Sequence, residues 1–279
     1  MSVPTADSIY GTTGTADTPV HCSTRNGVAT ITLNRPDRLN TMNDEMLQQM
    51  LDTLESLAGD EGVRVVIVTG SGRGFCAGGD LLAGTGGGIG GDIGAEERIG
   101  LMRRYMTSSQ LLHDMGKVTI AAVNGPCAGA GLAWACACDL RFASESAVFR
   151  TAFLSAGVSG DFGGTWTLSR IVGNAAAREL YLLNGKVLAQ DANRMGLVSA
   201  VYPGTELLSR VQAIASEIAA GAPLAITAIK QNLNDAESRS FSESLDNEIR
   251  RHVQCMETED GKEATAAFLE KRRPQFHGR

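Results

Sequence analysis

The amino-acid sequence predicts an α/β fold, and three observations carry that reading. Short β-branched or alternating apolar runs recur at residues 28–33, 63–69, 118–123 and 140–143, each of strand length. Between and after them lie longer segments whose apolar residues fall at helical spacing, and strands alternating with helices define the α/β class. A chain of 279 residues at 43% hydrophobic content can bury one large core, and no internal linker divides it.

Taken in order, residues 1–18 are rich in Ser, Thr, Gly and Ala without periodicity and are expected to form a flexible leader. Residues 28–33 alternate as a strand. Over 43–57, Met46, Leu47, Met50, Leu51, Leu54 and Leu57 share one helical face, with Thr41 and Asn43 as capping candidates. Residues 63–69 are continuously β-branched, as in a strand buried on both faces. The glycine-rich 82–95 stretch mimics the spacing of a phosphate-binding loop. No strand feeds into it and no Lys-Ser/Thr pair follows, so it reads as a flexible loop. A helix is predicted over 101–115, a strand over 118–123, a helix start of small residues over 131–138 and a strand over 140–143. Helices over 175–183, 206–220, 241–255 and 262–272 complete the reading. This divides the chain into the leader, an α/β core over 19–205 and a helical C-terminal region over 206–279.

The formal charge of -6 leaves no electrostatic footprint for nucleic acid or an anionic membrane surface. No apolar run approaches the roughly twenty residues needed to span a bilayer. Six cysteines, Cys22, Cys76, Cys127, Cys136, Cys138 and Cys255, lie mostly in apolar or small-residue runs without metal-ligand spacing. They read as reduced thiols of a soluble cytoplasmic protein, with no metal site.

The functional signal lies in two segments: Phe75-Cys76-Ala77-Gly78-Gly79-Asp80-Leu81, and about fifty residues later Ala121-Ala122-Val123-Asn124-Gly125-Pro126-Cys127-Ala128-Gly129-Ala130-Gly131. Each follows an apolar run and enters a turn of small residues, where backbone N–H groups can approach a ligand closely. Two such donors aimed at one oxygen form an oxyanion hole. The plainer reading is a pair of tight turns.

These segments, with Asn34-Arg35-Pro36-Asp37-Arg38-Leu39-Asn40, Gly163-Gly164-Thr165-Trp166 and Phe268-Leu269-Glu270-Lys271-Arg272-Arg273-Pro274, resemble the crotonase (enoyl-CoA hydratase/isomerase) superfamily, from about residue 28 to 276. The resemblance implies a spiral of ββα units with a helical C-terminal trimerisation region, assembled as a homotrimer or a dimer of trimers. It implies an acyl-CoA substrate and no separate cofactor, coenzyme A entering as part of the thioester. By the same carry-over Gly79 and Ala130 supply the oxyanion N–H groups, with alanine at the second position where glycine is usual. Ala77 and Gly79 correspond to the adenine-binding turn. Arg38 and Lys271 are candidates for the phosphates, or equally for solvated surface charges. Asp80 is assigned to holding its turn.

Hydratases of the family use two glutamates, and the matched positions here are Ala133 and Phe153, neither able to move a proton. One carboxylate remains, Asp161, at a position where relatives of the dienoyl-CoA isomerase and ring-epoxide isomerase type carry their base and dehalogenases their nucleophile. Phe153, Phe162 and Trp166 flank it, and Trp134 joins them in the expected acyl pocket, although buried tryptophans also serve simply as core. Asp161 could equally cap the helix beginning near Gly163. Arg150 suggests either a paired buried charge or recognition of a polar acyl group. The expected activity is double-bond isomerisation through an enolate, with Asp161 as acid/base. The alternatives are a hydratase with water held by Asp161 alone, dehalogenase- or hydrolase-type attack by Asp161, and a catalytically silent acyl-CoA binding protein. No histidine occupies the position dehalogenases use.

Overall fold

The computed structural model describes residues 18–84 and 88–279, so the leader expected over 1–18 lies, but for Thr18, outside the described residues. Strand β1 (Val20–Arg25) turns through Asn26 and Gly27, both at positive φ, into β2 (Val28–Leu33). Helix α1 (Asp44–Gly59), β3 (Val65–Gly70), α2 (Ala95–Asp114), β4 (Val118–Val123), the two-residue β5 (Cys127–Ala128), α3 (Ala130–Ala137) and β6 (Leu140–Ser144) follow. Next come β7 (Val148–Arg150), α4 (Phe153–Ala156), α5 (Gly164–Val172), α6 (Asn174–Leu183), β8 (Val187–Leu188), α7 (Ala189–Arg194) and β9 (Ala200–Tyr202). Four helices end the chain: α8 (Leu207–Ala219), α9 (Pro223–Ala236), α10 (Phe241–Glu257) and α11 (Glu259–Glu270).

The main sheet has the order β1-β2-β3-β4-β6-β9, parallel except for the β1–β2 hairpin. A smaller sheet, β5-β7-β8, carries the chain from the end of β4 toward the site. The alternation of β3 explains its unbroken β-branched composition. Val66 and Val68 face the larger core, which α1 and α3 cover, while Val65 and Ile67 face a second cluster closed by Leu207, Val211, Ala215 and Ala219 of α8. A strand sandwiched this way has no solvent face, and each such side chain contributes roughly 1.5–3 kcal/mol by burial.

Asn43 caps α1 as expected, its side chain accepting from Met46 N at 3.0 Å. Helix α2 begins at Ala95, earlier than the expected 101, because Gly94 enters in extended conformation and Glu96 and Glu97 suit the positive end of a helix. The polar face of that first turn hides it from a reading of apolar spacing.

Lys230 of α9 is buried and ties this helix to the sheet. Its Nζ donates to Leu112 O, Lys117 O and, at 2.8 Å, Asp139 Oδ2, which also accepts from Thr119 N. Removing the cation strands a carboxylate that retains partial solvent access. Lys230→Met is therefore expected to lower unfolding stability by about 2 kcal/mol, read as a shift of the urea midpoint at unchanged slope. A midpoint equal to wild type would show the pair to be neutral.

Candidate active site

The two glycine-rich segments meet along one seam. Phe75 and Cys76 donate their N–H groups to Pro126 O, and Ala128 N returns a bond to Cys76 O at 2.9 Å, making a parallel bridge between Cys76 and Cys127. Gly131 permits the approach: a Cβ there would stand 2.3 Å from Cys76 O. On its other side the first segment is pinned to Met42, whose N–H donates to Gly78 O and whose carbonyl accepts from Asp80 N.

Within this frame the N–H groups of Gly79 and Ala130 donate to no acceptor among the described residues. Ala130 is the first residue of α3, so its amide is one of the helix's unpaired N-terminal donors, where the peptide dipoles favour negative charge. The unusual conformation falls one residue earlier, on Gly129 (φ 53°, ψ -128°), which explains why an alanine suffices where glycine is usual.

Asp80 holds its turn, accepting from Leu82 N and pairing with Arg35 at 2.9 Å. Arg35 also donates to Thr41 O, and buried Asn40 donates to Ser71 O and Gly74 O. The Asn34–Asn40 motif thus braces the loop that carries Gly79.

Asp161 follows α4 in the turn before α5. Its carbonyl accepts from Gly164 N at 3.0 Å, but its side chain caps nothing: α5 begins behind Gly163 without a side-chain cap. Oδ1 is buried with no hydrogen-bond partner among the described residues. That desolvation pushes the carboxyl up to about 6. The capping role left open by the sequence is thereby excluded.

Around this turn the structure gathers some predicted pocket residues and disperses others. Ala133 packs under Gly164, with 3.1 Å between its Cβ and the place a Cβ on Gly164 would occupy. The Phe153 ring, on α4, lies near Gly129 and stacks on Tyr181 at 5.9 Å between centroids. Phe162 is buried with its ring edge to face with Trp134, which is wholly enclosed and donates its indole N–H to Ser108 Oγ at 2.9 Å. Trp134 therefore belongs to the core, the plainer of the two roles the sequence left open. Trp166 points away: two residues past Gly164 is about 200° around α5. It is 41% exposed, beneath the Arg170 guanidinium and edge-on to His113, in a cleft between α5 and α9. The expectation that Trp166 flanks Asp161 is corrected by that helical phase.

Of the proposed coenzyme contacts, Gly79 and Ala77 share the first loop, although the Ala77 N–H is already bound to Leu39 O at 3.0 Å. Arg38 is exposed on the neighbouring single turn, and Lys271 is exposed at the left-handed end of α11. Among the described residues Arg150 pairs with no carboxylate. Its guanidinium donates to Asn184 O, Asn184 Oδ1 and Ser155 Oγ, and so locks β7 to α4 and α6. Asn184 Oδ1 also accepts from Ala152 N, holding the corner from which Phe153 projects. In place of the paired buried charge that the sequence left open, Arg150 forms a neutral latch.

The part of the glycine-rich stretch that is described runs close to α1: Gly90 N donates to the Asp44 carboxylate, and Ile89 is buried. Leu81 and Leu82 before it are exposed. Among the described residues no group of three or more His, Cys, Asp or Glu side chains is placed to hold a metal, and all six cysteines are free thiols.

Two free backbone donors on facing loops, with an unpaired carboxylate on a third, form an arrangement whose relatives can be identified by sequence. The enoyl-CoA hydratase/isomerase family profile matches residues 23–279. The chain belongs to the enoyl-CoA hydratase/isomerase family. It is 38% identical to 1,2-epoxyphenylacetyl-CoA isomerase of Escherichia coli over 257 residues, covering 91% of this chain and 96% of that protein. It is 36% identical to 2,3-dehydroadipyl-CoA hydratase of the same organism, covering 90% and 96%. The crystal structure of an enoyl-CoA hydratase from a Polaromonas species superposes with a TM-score of 0.86 at 31% identity, covering 92% of this chain and 99% of that one. The α/β fold and the helical C-terminal region are those of this family, whose isomerases and hydratases are both among the relatives.

Proposed function

We propose that this enoyl-CoA hydratase/isomerase family member is an acyl-CoA isomerase in which Asp161 moves a proton and the N–H groups of Gly79 and Ala130 hold the thioester oxygen as it becomes an enolate. The observation that carries the reading is the buried Oδ1 of Asp161, unpaired among the described residues, on a turn whose Gly160 and Gly164 pack on Phe153 and Ala133, two side chains that offer no second acid or base. A single carboxylate can take a proton from one carbon and return it to another, whereas paired-carboxylate hydration needs a partner this chain lacks. Coenzyme A enters only as part of the substrate, with Arg38, Ala77 and Lys271 as its contacts.

The test is conversion of a β,γ-enoyl-CoA in D2O, followed by absorbance of the conjugated thioester and by product mass. A conjugated product of unchanged composition, with or without deuterium, supports the isomerase. A gain of one water would make the protein a hydratase, and bound but unchanged thioester would make it a silent binder. A second reading, isomerisation of a ring epoxide, is favoured by the 38% identity to 1,2-epoxyphenylacetyl-CoA isomerase, and it uses the same carboxylate and the same hole.

Because the base is the ionised carboxylate, kcat/KM should fall tenfold per pH unit below about 6 and level off above it. A limb near the ordinary carboxylate value of 3.8 would mean that the turn opens to water in solution. For assembly, the apolar side chains exposed on the last helices, Ile249 and Val253 of α10 and Phe268 and Leu269 of α11, support a homotrimer or a dimer of trimers. Light scattering should give a mass of three or six chains, and a single chain mass would refute assembly. Free thiols throughout fit a cytoplasmic location. No single helix among the described residues is long and apolar enough to cross a membrane.

A further inference from the structure

Tyr181 was not singled out by the sequence, yet it lies against both ends of the turn that carries Asp161. A Cβ on Gly160 would meet its Cε1 at 3.7 Å, and a Cβ on Gly164 would meet its hydroxyl at 2.8 Å. The ring is fixed by parallel stacking on Phe153. Its hydroxyl donates to no acceptor among the described residues and keeps some solvent access, whereas Asp161 Oδ1 is buried without a partner among them. An unpaired acceptor and an unpaired donor thus flank the same turn.

An all-hydrocarbon acyl chain placed between them would leave both groups desolvated and unsatisfied. A hydroxyl satisfies both, donating to the carboxylate and accepting from the phenol. We infer that Tyr181 is a specificity-determining residue whose hydroxyl, with Asp161, selects acyl thioesters bearing an oxygen function on the acyl chain. This deepens the acyl-CoA reading above and rests on it. Burial, and the nearby Cys136 and Asp161, raise the phenol above its ordinary value, so it stays a neutral donor across the working pH range.

The experiment is calorimetric binding of butanoyl-CoA and 3-hydroxybutanoyl-CoA to the wild type and to Tyr181→Phe, which keeps the stacked ring. The wild type should favour the hydroxylated thioester by about tenfold, one good hydrogen bond, and Tyr181→Phe should lose that preference while binding butanoyl-CoA as before. Equal binding of the two thioesters by the wild type overturns the inference alone. So does a preference that survives in the variant, or an equal weakening of both ligands, which would mark a merely structural ring. Failure of the wild type to bind butanoyl-CoA at all overturns the acyl-CoA reading, and the inference falls with it.

Discussion

Asp161→Asn is expected to lower kcat for the isomerised acyl-CoA by roughly 10²–10⁴-fold, the usual range for losing a positioned acid/base, with little change in ligand affinity. The amide is isosteric and sits in a turn already held by backbone bonds, so geometry should survive. The same substitution should stabilise the protein. The folded carboxyl titrates at about 6 against an ordinary 3.8, so the contribution of its neutral form is complete below about pH 4 and is lost as pH rises through 6. Asparagine carries no such loss. After discounting for its partial exposure, Asp161→Asn should be more stable than wild type by about 1–2 kcal/mol at pH 8, and no more stable near pH 3. An active variant would remove Asp161 from the chemistry. An inactive variant that is less stable at pH 8 would point instead to damage of the turn.

Ala130→Pro should cost roughly 10²–10³-fold in kcat. Proline is tolerated in the first turn of a helix, and Ala130 is the first residue of α3, with an N–H that no group among the described residues accepts. Gly129 before it has no Cβ to clash with the ring. The substitution therefore deletes one of the two proposed oxyanion donors and puts its Cδ where the thioester oxygen would rest in that proposal, while circular dichroism and the thermal midpoint should stay near wild type. Full activity in a folded Ala130→Pro protein would show that this donor does not hold the oxygen.

Much of this was visible in the sequence, for physical reasons. The unbroken 63–69 run announced a strand buried on both faces, and the spacing of Met46 to Leu57 with Asn43 before it announced α1. Both loops of the proposed hole were legible because close backbone approach demands small residues. Strand β1 was missed because an edge strand half open to solvent, Val20-His21-Cys22-Ser23-Thr24-Arg25, has little apolar content to betray it. Tyr181 was missed because its helix reads as ordinary amphipathic sequence, and only the tertiary fold brings it to the 160–164 turn. The position of Trp166 is not legible in the sequence, because it lies close to Asp161 along the chain while helical phase turns it to the opposite side of α5.

The seam between Cys76 and Cys127 separates two duties. What would grip the thioester belongs to the main chain and is set by strand register, so no side-chain replacement can abolish it without proline or a shift in pairing. What would move protons belongs to side chains projecting from other elements. On the proposed mechanism, the reactive equipment at Ala133, Phe153 and Asp161 could be exchanged, one position at a time, on an unchanged socket. A scaffold built this way can change its reaction without losing its ligand, and relatives at similar identity can be isomerases or hydratases.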